Sequence, residues 1–167
     1  MNQTAQQPVI NEVISPKELL IHWQGHRDLT RRVIEAFPEK EFFTYQIGGM
    51  RPFAEMSMEL LAIAGPGIQE IATGVQSEFT ESFDHQNSKS KILEWWDEAT
   101  ETIYTYWEHI PPKRFQEHIK SFGLYEGTVI STILYFIDNE IHHRGQGYVY
   151  LRSLGIEPPA FWDRERG

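Results

Sequence analysis

Apolar or bulky side chains recur every three or four positions at Leu19, Trp23, His26, Leu29 or Thr30, Val33 and Phe37. That spacing gathers them on one face of an α-helix. Ser15-Pro16 supplies an N-cap followed by proline at the first helical position, and Pro38 blocks continuation, so a long amphipathic helix is expected between them. A second stripe runs through Phe53, Met56, Leu60 and Ile63, where Ala64-Gly65-Pro66-Gly67 is expected to bend or break the helix before it resumes over 68–75. A third covers Lys89 to His109, through Ile92, Trp95 or Trp96, Ala99, Ile103 and Tyr106, and ends at Pro111-Pro112. The longest stretch follows Gly123, from about Tyr125 to Leu154, closed by Gly155 and Pro158.

The connections are read as follows. Residues 38–50 form a loop broken at Gly48-Gly49, with Phe42, Phe43 and Tyr45 laid over one end, and residues 76–90 form a polar loop. A short polar piece surrounds Phe115–Ile119. No strand-like alternation or internal repeat competes. The pattern predicts an all-α chain whose four stripes are buried in an antiparallel four-helix bundle, with residues 1–14 as an irregular lead-in to one domain over 1–167.

Composition narrows the function classes. A formal charge of −9 opposes binding to phosphate backbones, which depends on Lys and Arg, so nucleic acid is not expected as a partner. The cluster Arg27, Arg31 and Arg32 reads as the solvated face of the first helix. No apolar run is long enough for a membrane span, and the opening MNQTAQQPVINEV lacks an export signal, so a cytoplasmic protein is expected. With no cysteine, a metal would have to use His, Asp, Glu, Asn or water.

The densest chemistry is D138-N-E-I-H-H-R-G-Q-G147 on the last helix. Asn139 and His143 stand four apart and share a face, as paired ligands do, although spacing alone favours residues that satisfy buried polar groups and contacts between helices. On the first helix His22 and His26 are also four apart, and His26 lies on the apolar stripe, where a lone histidine is usually a satisfied core residue. His85, His109 and His118 stand alone in polar surroundings and read as surface residues. The aromatics Trp95, Trp96, Tyr104, Tyr106, Trp107, Tyr148, Tyr150, Phe161 and Trp162 read as core and interface.

The segment HHRGQGYVYLRSLG, with the acidic and amide residues before it, resembles the C-terminal signature of the DinB-like superfamily, and IGGMRPFAEMSMELLAIA resembles its second helix. Members of this superfamily, which is distinct from the DNA polymerases of similar name, are metal-dependent hydrolases and thiol transferases on an up-down-down-up four-helix bundle, often dimeric. The resemblance implies a metal site of three histidines, whose positions fall here on Glu59, Asn139 and His143. Glu59 is a competent ligand for Zn, Ni, Mn or Fe, whereas a neutral amide such as Asn139 binds transition metals weakly. His26 could complete the shell, His142 points about a hundred degrees from His143 and suits a supporting role, and Arg144 could pair with Asp138, Glu140 or Glu59 in place of the ion.

Two functions follow. In the first, a divalent ion near Glu59, Asn139 and His143 activates water or a low-molecular-weight thiol such as bacillithiol for a hydrolase or transferase reaction on an unidentified small molecule. In the alternative, the chain keeps the fold, has lost the metal and serves as a non-catalytic small-molecule-binding or stress-response protein. The resemblance implies a homodimer in either case.

Overall fold

A computed structural model describes residues 13–164. The irregular lead-in expected for residues 1–14 falls mostly outside them. Helix α1, Pro16–Ala36, starts with a reciprocal cap in which the Ser15 hydroxyl accepts from the Glu18 amide and the Glu18 side chain returns to the Ser15 amide. Its expected stripe is buried, from Leu19 to Phe37. The loop expected next contains a short helix, α2, Glu39–Thr44, whose Phe42 seats against Phe37 and Phe53.

Helix α3, Phe53–Thr73, runs through Pro66 as one element, so of the bend or break expected there the break does not occur. The glycines around the proline serve packing: a β-carbon on Gly65 would lie 3.7 Å from Ala99, and one on Gly67 would lie 2.6 Å from the Phe136 ring. Neighbouring helices thus approach on both sides of Pro66, and this burial outweighs its local cost. The helix stops at Gly74, in the left-handed conformation with φ 73°.

Helix α4, Lys89–Trp107, is capped by Ser88 and ends slightly earlier than the pattern suggested. A 3-10 turn, Pro112–Gln116, leads to two strands that the sequence did not announce, β1, His118–Ser121, and β2, Tyr125–Thr128, paired antiparallel with His118 opposite Thr128. Strands of four residues are too short for a legible alternation. The last helix, α5, Val129–Ser153, therefore starts later than expected, capped by the Thr128 side chain.

Contacts set the topology. Arg31 on α1 pairs with Asp97 on α4, and Lys89 at the start of α4 reaches the Glu35 carbonyl at the end of α1, so these helices are antiparallel. Phe53 meets Gly147 and Gly67 meets Phe136, so α3 and α5 are antiparallel too. Trp23 against Phe136 and His26 against Arg144 make α1 and α5 parallel. The order is up-down-down-up, with α1 diagonal to α3.

One core cluster joins Trp23, Ile68, Trp107 and Ile133, and the other joins Phe37, Phe53, Trp96 and Tyr150. Of the aromatics assigned to core or interface, Trp96, Trp107 and Tyr150 are core, while Tyr104, Phe161 and Trp162 face outward. Among the described residues, no helix is long and apolar enough to cross a membrane.

Candidate functional site

Glu59, Asn139 and His143 meet. Glu59 lies in the second turn of α3, and antiparallel α5 brings positions 139 and 143, one turn apart, against it. The Glu59 Oε1 accepts from the Asn139 amide nitrogen at 3.1 Å and lies 3.2 Å from His143 Nε2. Its Oε2 accepts from the Arg51 guanidinium, which also reaches Glu81 at 3.4 Å. Arg51 precedes α3, and its carbonyl accepts from the buried Tyr150 hydroxyl, which fixes that stretch against α5.

These contacts define the charges. Burial raises the Glu59 pKa, but the hydrogen bonds from Arg51, Asn139 and His143 outweigh it and hold the carboxyl below its ordinary value. Burial lowers the His143 pKa, with Glu59 opposing the shift, so the imidazole is neutral at pH 7. A neutral His143 facing a carboxylate must donate from Nε2, leaving a buried Nδ1 lone pair without a partner. Asn139 must likewise present its amide nitrogen, because its oxygen would face the carboxylate.

The arrangement does not fit a divalent ion. An ion would need the His143 Nε2 lone pair, the Asn139 oxygen and an unencumbered Glu59, but the first two present N–H groups and the third is paired with a guanidinium. Among the described residues, no group of three His, Asp or Glu side chains is placed to hold a metal.

The other candidates lie elsewhere. Successive residues on a helix diverge by about a hundred degrees, so Arg144 turns toward α1 while His143 turns toward α3. The Arg144 Nη1 donates to Thr30 Oγ1 at 3.0 Å and to the His26 carbonyl at 3.2 Å, and its Nη2 lies 2.8 Å from His26 Nδ1. Of its expected partners it reaches Glu140, at 3.9 Å from Oε1, and not Glu59, whose guanidinium partner is Arg51. His26 therefore does not complete the Glu59 cluster. Burial, Arg144, His22 and Arg164 push its pKa down to about 3. Arg164 also lies 3.0 Å from His26 Nε2. A neutral ring accepts at only one nitrogen, and the shorter contact assigns that role to Nδ1.

This second network continues through Thr30, which donates to Glu140 Oε1 at 2.6 Å, to Arg27, 3.6 Å from Glu140 Oε2. Arg27 is thus core rather than solvated face. It is 1% exposed, its guanidinium lies over the Trp96 ring, and it donates to the Trp96 carbonyl at 3.1 Å. Arg31 and Arg32 do form surface ion pairs, with Asp97 and Asp28 respectively. His142 is exposed and contacts Gln146.

Beside the Glu59 cluster is a cavity of about 510 Å³, walled by α3, the segment after it, the β1–β2 hairpin and α5. Buried Glu70 holds two of these walls by accepting from the Phe122 amide at 2.9 Å and the Ser77 amide at 2.8 Å. Glu59 and Tyr135 both line it, and at Tyr135 burial and then the Glu59 charge raise the phenol pKa.

The profile of the DinB family matches residues 1–165. A DinB-like protein from Bacillus cereus has a similar structure, with a TM-score of 0.71 at 13% identity over 86% of this chain and 95% of that one. A DinB-like protein from Bacillus subtilis gives 0.69 at 19% identity, over 89% of this chain and 99% of that one. No curated protein matches. With the bundle order and the family match in agreement, the chain belongs to the DinB family.

Proposed function

We propose that this chain is a metal-independent, small-molecule-binding member of the DinB family, whose ligand occupies the cavity that Glu59 lines. The observation that carries this reading is the engagement of the Glu59 carboxylate by Arg51, Asn139 and His143. Glu59 then acts as a fixed anionic anchor held by its neighbours, and Arg51 takes the place of the ion as its counter-charge. Ligand-sized cavities with a few convergent polar groups are the usual form of such sites.

The test is metal content by plasma mass spectrometry on untagged protein, before and after reconstitution with zinc, nickel, manganese and iron. The reading predicts no stoichiometric ion under any condition. One tightly held ion per chain, lost in a folded Glu59→Ala variant, would overturn it in favour of a thiol transferase or hydrolase that uses the ion and a low-molecular-weight thiol.

A further inference from the structure

The geometry points to an organic cation with an apolar body, an alkyl- or arylammonium compound, as the ligand class of the cavity beside Glu59. This inference rests on the small-molecule reading above and adds the chemistry of the ligand. The lining carries three carboxylates, Glu59, Glu81 and Glu126, and no Lys, Arg or His. Arg51 bridges Glu59 and Glu81 but supplies only one positive charge between two negative ones. Glu126 and Lys120, 3.9 Å apart, form an exposed pair whose two charges offset each other, so the excess negative charge lies at Glu59 and Glu81. The wall nearest the ligand space is thus net negative.

Five of the other lining residues are aromatic, beside Ile63, Ser121, Ser131 and Thr132. Phe122 meets Phe79 edge-on and Phe136 at a tilt, and the Tyr125 and Tyr135 phenols stand nearer solvent. Aromatic faces attract cations through the ring quadrupole and also bury apolar groups, while carboxylates repel anions, so this combination selects a cationic amphiphile over neutral or anionic compounds of equal size. A separate observation marks the cavity as built for a ligand. Ser121 lines it at 1% exposure, and its Oγ has no hydrogen-bond partner, an unsatisfied buried hydroxyl that a bound polar group would complete.

The test is calorimetric titration of the full chain with three probes of similar size: benzylammonium, benzyl alcohol and phenylacetate. The inference predicts that the ammonium binds roughly tenfold or more tightly than the alcohol and that phenylacetate binds least. Glu81→Gln and Tyr135→Ala change partly exposed residues, so both variants fold, and each should weaken the ammonium several-fold. If the alcohol or phenylacetate binds as well as the ammonium and Tyr135→Ala weakens it, the ligand class is overturned while the small-molecule reading stands. Binding of the ammonium unaffected by either variant, or no binding of any probe, overturns the inference. The metal-free reading fails separately, by retention of a stoichiometric ion.

Discussion

His26 makes the protein sensitive to mild acid in a way that can be calculated. Its ring is 7% exposed and faces two guanidiniums, and its pKa falls from an ordinary 6.5 to about 3. Because the folded value lies below the unfolded one, the unfolded chain binds the extra proton. Stability is therefore complete above pH 6.5 and is lost progressively as pH falls toward 3. Between pH 7 and pH 5 this one group removes about 2 kcal/mol. His143 shifts in the same direction and adds to the loss. In His26→Gln, an amide oxygen can still accept from Arg144, but nothing titrates in this range. Urea unfolding followed by fluorescence of the buried Trp23 and Trp96 reads the difference. The variant should lose about 2 kcal/mol less than the parent chain between the two pH values. Equal losses in both proteins would show that the His26 ring takes up its proton without opposition, and the account of the α1–α5 network would be wrong.

Two further substitutions test the packing. In Gly147→Ala the new β-carbon would lie 2.6 Å from the Phe53 ring, so the ring must shift, and thermal unfolding should show a loss of about 1–3 kcal/mol. In Arg27→Met, Glu140 loses its α1 guanidinium while remaining buried, which should cost about 3 kcal/mol or more by denaturant titration. The double variant with Glu140→Leu should recover part of that loss, and an additive double variant would contradict the pairing.

The helical stripes were legible because burial dictates their spacing, and every position named on the first helix is core. The cap at Ser15 and the stop at Gly155 follow from local chemistry that the sequence displays directly. Pro66 misled because its cost is local, whereas the close approaches of Ala99 and Phe136 that overcome it are tertiary. Arg27 misled for a similar reason. Its charge argues for solvent, and only the folded chain brings Glu140 and the Trp96 ring to it. The convergence of Glu59, Asn139 and His143 came from family resemblance and spacing, but Arg51 was missed because it lies outside the helix that carries its partner. The one available signal was an arginine just before α3 in a chain with an acidic counterpart eight positions on.

The central claim is that Glu59 is held by N–H donors and not shared with an ion. Long-range nitrogen–proton correlation spectra of the histidine rings, recorded with and without added zinc, read it directly. The account predicts His143 as a neutral ring protonated at Nε2, with resonances that zinc does not move. A His143 Nε2 signal that loses its proton and shifts on adding one equivalent of zinc would contradict it.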